Sequence, residues 1–169
     1  RGPDVGVWGD IKLVLEDLIQ RIPENPDRPW AREATQMVEE AIRAERSTYD
    51  LNMVPIHPRR LVEDVREVVG GEAMFVCDGG DSMLWGSEAF PAERPSAVMA
   101  TGPLGCLGVG LPFALAAKLA EPDRDVILLS GDGSFGLNGM EIDTAVRHDL
   151  PVICVICNDQ AWGMVKHGQ

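Results

Sequence analysis

The stretch Val126-Ile-Leu-Leu-Ser130, closed by Gly131-Asp132-Gly133-Ser134, sets the tightest limit on what this chain folds into. An unbroken apolar run of that length reads as a strand covered on both faces, the pattern of a parallel sheet. The glycines that follow let the backbone turn sharply and approach a ligand closely, so the carboxylate of Asp132 is delivered to the carboxyl edge of the sheet. Open parallel sheets bind their ligands at that edge. Downstream, Met140, Ile142, Ala145 and Val146 recur at helical spacing between about Asn138 and His148, and Leu150-Pro-Val-Ile-Cys-Val-Ile-Cys157 reads as a second buried strand. The whole is one βαβ unit, with Asn158 and Asp159 at the end of its second strand.

Neighbouring parallel strands lie roughly 4.8 Å apart. If these two are neighbours, Asp132 and the Asn158-Asp159 pair emerge side by side and can share a cation. Oxygen ligands at such spacing suit a hard divalent ion, and magnesium prefers one or two carboxylates plus substrate phosphates to a cage made only of protein. The pattern therefore reads as half of a magnesium–diphosphate clamp.

The rest of the chain supplies a frame for this unit. Val5-Gly-Val-Trp8 reads as a short strand, and Asp10 caps a helix with Ile11, Val14, Leu15, Leu18 and Ile19 on one stripe, stopping at Pro23. Three prolines between Pro23 and Pro29 mark a loop, and the charged stretch from Trp30 to about Arg46 reads as a solvated connecting helix. His57-Pro58 opens a further helix with Leu61, Val62, Val65, Val68 and Val69 buried, up to Gly70-Gly71. Ala73 to Cys77 is a strand ending in the turn Asp78-Gly-Gly-Asp81, and a second short strand runs from Ala97 to Ala100. The loop from Thr101 to Gly110 carries four glycines and leads into a helix over 111–119. The order α-β-β-α-β-α-β predicts an α/β fold, a doubly wound, mostly parallel sheet with helices on both faces. The predicted organisation is a terminal piece of a preceding α/β domain over 1–22, a linker with a charged helix over 23–54, and the main domain over 55–169.

Bulk properties exclude several classes. A formal charge of −12 repels nucleic acid and anionic membrane surfaces. No run approaches the roughly 18 apolar residues of a membrane span, and mean hydropathy is near zero. The chain starts at Arg1 without a signal-like segment, which reads as a cut point and leaves a cytoplasmic location as the default expectation. Cys154 and Cys157 invite a redox or zinc reading, but they sit inside an apolar run, no second ligand pair follows at zinc spacing, and their opposite parity sends them to opposite faces of a strand.

With Gly131-Asp-Gly-Ser134, the glycine loop at 102–110 and Asn158-Asp-Gln-Ala-Trp-Gly163 in place, the chain from about residue 55 onward resembles the diphosphate-binding domain of thiamine-diphosphate-dependent enzymes. Within that superfamily, Leu104 to Pro112 and Asp159 to Met164 look most like the acetolactate synthase and benzaldehyde lyase branch. The resemblance implies thiamine diphosphate and Mg2+ as cofactors. The family's metal motif has a second asparagine at the position of Asp159, so metal ligation falls to the side chains of Asp132 and Asp159 and the carbonyl of Ala161, with Asn158 in the first asparagine's place and itself an alternative ligand. A carboxylate at 159 keeps an oxygen ligand while adding negative charge beside the diphosphate. By the same likeness Gly131, Gly133 and Ser134 meet the diphosphate, Gly80 and Ser82 reach it from the first strand, Gly105 accepts from the pyrimidine amine through its carbonyl, Leu107 wedges beneath the bent cofactor, and Trp162 and Gly163 border the site.

The implied whole protein is a carboligase or decarboxylase acting on 2-oxo acids, or a 2-hydroxyacyl or benzaldehyde-type lyase, and a homo-oligomer (dimer or tetramer). Its small-molecule partner is a 2-oxo acid or an aldehyde. The family's catalytic glutamate lies in a separate domain that nothing here matches, so no catalytic residue is expected in these 169 residues, and the piece alone is expected to be inactive and incomplete at its C-terminal end. Each motif also has a plainer reading. Gly-Asp-Gly by itself is a strand-to-helix turn with a capping aspartate, Leu107 by itself is core, Glu141 and Asp143 are solvated helix charges, and His148 closes a helix. His167 and Trp162 follow the metal ligands and are candidates for the substrate channel. A non-catalytic nucleotide- or phosphate-binding α/β domain is the competing function of another class.

Overall fold

In the computed structural model the described residues are 2–90, 92 and 94–168, the side chain of His167 excepted. The chain divides into two compact units, Arg1–Tyr49 and Asp50–Gln169. The first holds two helices, α1 (Ile11–Arg21) and α2 (Pro29–Arg46), with no buried residue in either. Asp10 caps α1 as expected, its Oδ1 accepting from the Lys12 and Leu13 amides at 3.1 and 3.2 Å. The strand expected over residues 5–8 is absent: the segment is irregular and exposed. A lone extended segment gains no ladder hydrogen bonds, and no described strand pairs with it.

In the second unit the order is α3 (Pro58–Val69), β1 (Met74–Asp78), α4 (Asp81–Ala89), β2 (Val98–Ala100), α5 (Gly110–Ala120), β3 (Val126–Gly131), α6 (Asp132–Asn138), α7 (Ile142–Arg147), β4 (Ile153–Cys157) and α8 (Gly163–His167). The four strands are all parallel and lie in the order β2-β1-β3-β4. The chain builds outward from β1 to β2, crosses back to β3 and builds outward again to β4. The winding therefore reverses between β1 and β3, and a doubly wound sheet opens a crevice at the carboxyl ends there.

Strand periodicity divides the core in two. Phe75, Cys77, Ile127 and Leu129 face one layer with Val62 of α3, Ala89 and Phe90. Met74, Val76, Val126 and Leu128 face the other, against Leu111, Ala114, Leu115 and Ala117 of α5. Cys154 joins the second layer and Cys157 the first, as their parity predicts. The buried Arg59 ties α3 to α4, its guanidinium pairing with Glu63 at 3.1 Å and Glu88 at 2.9 Å.

Three local expectations are corrected. Asp78 to Asp81 does not simply turn into the next strand; helix α4 follows, as a parallel crossover requires. The sequence DSMLWGSEA hides it because it has no clean apolar stripe. Helix α6 starts directly at Asp132, six residues earlier than the apolar spacing predicts, and a 3₁₀ turn at Gly139–Glu141 separates it from α7. Of the four apolar residues behind the predicted helix, Ala145 packs on the core while Met140, Ile142 and Val146 are exposed. The plain structural readings suit Asp143, which pairs with Arg147 at 2.6 Å, and His148, which caps α7. Among the described residues no helix is long and apolar enough to cross a membrane.

Gly86 marks where α4 lies closest to the sheet, since a Cβ built there would stand 2.5 Å from Cys77 Sγ and 3.0 Å from Leu129 Cδ2. A Gly86→Ala variant is expected to be destabilised by about 1–3 kcal/mol through overpacking, despite alanine's better helix propensity. Urea denaturation checks this; an unchanged or raised midpoint contradicts the close packing.

Candidate functional site

All four strands end on one cavity of about 690 Å³, a size typical of cofactor pockets. Residues 79–83 after β1, Thr101, Gly105 and Leu107 after β2, 131–134 after β3, and Asp159 with 161–165 after β4 form its walls. His57, Pro58, Val62 and Trp85 close the side toward α3 and α4. Of the residues singled out from sequence, Gly80, Ser82, Gly105, Leu107, Gly131, Asp132, Gly133, Ser134, Asp159, Ala161, Trp162 and Gly163 all line this one space. Asn158 does not; it is exposed, and its Oδ1 accepts from the Gln160 amide at 3.1 Å. The side chain of His167 lies outside the described residues.

Glycine is required where the strand ends converge. Gly79 has φ +118°, and a Cβ there would press on Ser82 Oγ and stand 3.3 Å from the Gly131 amide nitrogen and 3.4 Å from Ser134 Oγ. A Cβ on Gly133 would lie 2.8 Å from Trp162 Nε1. The edge between β1 and β3 is thus mostly backbone. Two donors assigned to an anion are otherwise engaged: Ser82 Oγ donates to the Asp78 carbonyl at 2.8 Å, and the Gly133 amide donates to Asp132 Oδ1 at 2.9 Å.

Register explains how the acidic residues meet. Gly131 pairs with Cys157, so Asp132 and Asn158 stand one residue beyond the last rung of the ladder, with Asp159 next. Asp159 Oδ1 accepts from the Ala161 amide at 3.1 Å, which curls the chain back over the cavity. A Cβ on Gly163 would lie 2.7 Å from Asp159 Oδ2 and 2.8 Å from Asp81 Oδ2, so these two carboxylates flank the same glycine. Three carboxylates and no Lys or Arg line the cavity. A bare diphosphate would be repelled there, whereas a divalent cation inverts the local field and turns the same carboxylates into ligands. Among the described residues no three His, Cys, Asp or Glu side chains form a metal site unaided. A cation held here draws on carbonyls and on the anion itself, which is how magnesium is commonly bound.

Two residues that shape the site were not singled out in advance. Asp78, only 1% exposed, accepts from the Gly108 amide at 3.3 Å and the Gly110 amide at 2.8 Å. Asn138 Nδ2 donates to the Gly108 carbonyl at 2.7 Å. A carboxylate at the end of the apolar run MFVCD was the signal for the first, since a buried charge requires donors. Nothing local signalled the second. His57 is a third addition: its Nδ1 accepts from the Arg59 amide at 3.1 Å, and its ring meets Trp85 edge-on at 5.5 Å.

Residues 78–169 match the sequence family described as thiamine pyrophosphate enzyme, C-terminal TPP binding domain. The chain is 36% identical over 162 residues to a probable acetolactate synthase of Mycobacterium bovis, covering 96% of this chain and 29% of that protein. It is 31% identical to the acetolactate synthase isozyme 3 large subunit of Escherichia coli, covering 98% and 29%. Similarity to a 2-hydroxyacyl-CoA lyase of Oryza sativa is 32% identity over 94% of this chain and 29% of the relative. The chain therefore spans less than a third of the length of these relatives.

Thiol chemistry has no place at this edge near neutral pH. Burial pushes the Cys77 thiol from its ordinary 9.0 up to about 12, with Cys157 adding to the shift. Burial likewise raises Cys157 to about 11, helped by the negative charge of Asp159, and raises Cys154. Because the thiolate is the nucleophile, only the exposed Cys106 is expected to react quickly with a maleimide at pH 7.5. The raised values leave stability untouched well below pH 9, where the thiols are neutral folded or unfolded. Between pH 9 and about 12 the unfolded chain sheds protons first, so these groups lower stability as pH rises. Mass spectrometry of the labelled protein checks the order; rapid labelling of Cys157 ahead of Cys106 contradicts it.

Proposed function

The chain belongs to the thiamine pyrophosphate enzymes, of which it carries the C-terminal TPP-binding domain, and from that premise we propose that it is the cofactor-binding part of an acetolactate-synthase-like, magnesium-dependent carboligase or decarboxylase acting on 2-oxo acids. The observation that carries this reading is the meeting of Asp132, Asp159 and the glycine-built edge in one cavity that, among the described residues, no Lys or Arg lines. Such a site has little affinity for a free polyanion and a strong need for a metal–diphosphate pair.

The donor set fits the group. Asp132, Asp159 and the Ala161 carbonyl are the metal ligands in this reading, and the hydrogen bond from the Ala161 amide to Asp159 Oδ1 fixes the turn between the last two. The Gly131, Gly133 and Ser134 backbone, with Gly80 and Ser82 opposite, would receive the diphosphate, and the Gly133 amide would be free to join it were Asp132 to ligate the cation instead. Leu107 and Gly105 on the β2 side, and Trp162 with Gly163 after β4, line the same cavity and would hold the ring portion. Thiamine diphosphate, when bound, supplies the electron sink beside the carbonyl of a 2-oxo acid. This chain's residues bind and orient it, and the apolar side formed by Val62, Met83, Trp85 and Leu107 keeps water away and strengthens the electrostatics within.

The acid–base glutamate belongs to another part of the whole protein in this reading, residues 1–22 end a preceding domain, and 23–54 link it to the cofactor domain. The substrate-level alternative is a 2-hydroxyacyl lyase of the same family, which the similarity to the rice lyase favours. A homo-oligomer with a 2-oxo acid or aldehyde as its small-molecule partner completes the proposal.

The test uses the whole protein and its unfolding midpoint. Thiamine diphosphate with Mg2+ at about 100 times Kd is expected to add about 2.7 kcal/mol of stability, while NAD or ATP with Mg2+ adds none. Asp132→Ala and Asp159→Ala abolish the stabilisation by cofactor with little change in the ligand-free midpoint, and Asn158→Ala keeps most of it. Equal responses to all three ligands reject the reading in favour of a generic phosphate-binding domain. Carbon dioxide release from pyruvate, with and without added aldehyde, separates the decarboxylase and carboligase readings from the lyase.

A further inference from the structure

The glycine loop between β2 and α5 is gripped from two sides by side chains that do not themselves line the cavity. On one side, Asp78 at the end of β1 takes the Gly108 amide at 3.3 Å and the Gly110 amide at 2.8 Å on its two oxygens. On the other, Asn138 at the end of α6 donates to the Gly108 carbonyl at 2.7 Å. The backbone approaches both holders too closely for any side chain. A Cβ at Gly110 would lie 2.6 Å from Asp78 Cβ, and one at Gly108 (φ +83°) would lie 3.3 Å from Asn138 Nδ2 and 2.7 Å from Cβ of the neighbouring Leu137. Gly108 thus has both its polar groups bound, one to each holder, and the next residue back is Leu107, which faces the cavity with Gly105.

Helix α6 makes this arrangement more than a local brace. Its first residues, Asp132, Gly133 and Ser134, line the cavity, and its last residue, Asn138, grips the loop. The same two-turn element therefore sets the anion-binding edge and the position of Leu107 together. We infer that Asp78 and Asn138 are positioning residues that hold the Gly105–Leu107 wall at a set distance from the 131–134 edge. This rests on the proposed function above, in which that edge meets the diphosphate and that wall meets the rings.

The two halves of the ligand give the test. Calorimetric titration of the whole protein compares thiamine diphosphate with inorganic pyrophosphate, each with Mg2+, because pyrophosphate uses only the edge. For Asn138→Ala, and for Asn138→Asp, which keeps the shape but cannot donate to the carbonyl, affinity for thiamine diphosphate is expected to fall about ten-fold or more, the size of one lost hydrogen bond. Pyrophosphate affinity stays within about two-fold of the parent. Asn138 is exposed, so these variants are expected to fold; Asp78 is buried, and Asp78→Asn is followed by hydrogen exchange, with the Gly108 and Gly110 amides speeding up while those of β3 do not. Equal losses for both ligands, or no loss for either, overturn the inference. If the parent protein binds pyrophosphate but not thiamine diphosphate, the proposed function falls instead. Unchanged exchange at Gly108 and Gly110 in both Asp78→Asn and Asn138→Ala would then overturn the positioning role as well.

Discussion

Parallel pairing of β3 with β1 on one side and β4 on the other, in a register that ends Asp78, Ser130 and Ile156 at one level, is the constraint on which the cavity depends. Because side chains alternate, a slip of one residue would send the Phe75–Ile127 layer to the α5 side and the Met74–Leu128 layer to the α3–α4 side. Both layers are fully buried, so neither slip is tolerated. The same register puts Gly79, Asp132 and Asn158 just past the ends of three adjacent strands. Close packing of the core thus fixes where the polar residues of the edge emerge, without any of them contributing to the core.

Charge then decides what that edge can hold. Three carboxylates line a cavity whose other walls are largely apolar, and no arginine or lysine among its lining residues offsets them. In such a setting the field of a divalent cation dominates, and an anion enters as its partner rather than alone. The net charge of −12 adds to this, since it discourages free polyanions throughout the surroundings. Aspartate at 159, where the family carries asparagine, pushes in the same direction. In the proposed reading its added charge would strengthen the hold on the metal and weaken the welcome for the diphosphate, while the Ala161 amide donates to its Oδ1.

Much of this was legible because parallel strands and their glycine turns leave strong local signals. The apolar runs at 73–77 and 126–130 and the doubly wound order follow from patterns a few residues long, and of the thirteen site residues that the family resemblance implies, twelve line the cavity. Helix α4 was missed because its stabilisation comes from the close approach of Gly86 to the sheet, which periodicity does not register. The topology did contain it: two parallel neighbours separated by residues 79–97 need a crossover, and a helix is the usual one. The early start of α6 was hidden by Gly133 and Gly136, which read as turn residues; here a backbone needed at a ligand edge outweighs helix propensity. The exposed segment at residues 5–8 is the reverse case, a strand-like pattern with no described partner to pair with.

The residues hardest to read from sequence were those that act at second hand. Asp78 and Asn138 stand sixty positions apart and meet only through the backbone of Gly108, so no spacing rule relates them. Their chemistry is nevertheless constrained. A carboxylate as buried as Asp78 is unfavourable unless several donors meet it, and the amides of Gly108, just before α5, and Gly110, its first residue, do so while the helix dipole also favours the charge. Replacing the pair with apolar residues of similar volume would remove that desolvation cost and leave the Gly108 carbonyl and both amides without partners. These opposed requirements are met together at Gly108, whose amide and carbonyl are both bound, so the backbone that carries Leu107 is tied to β1 on one side and to α6 on the other.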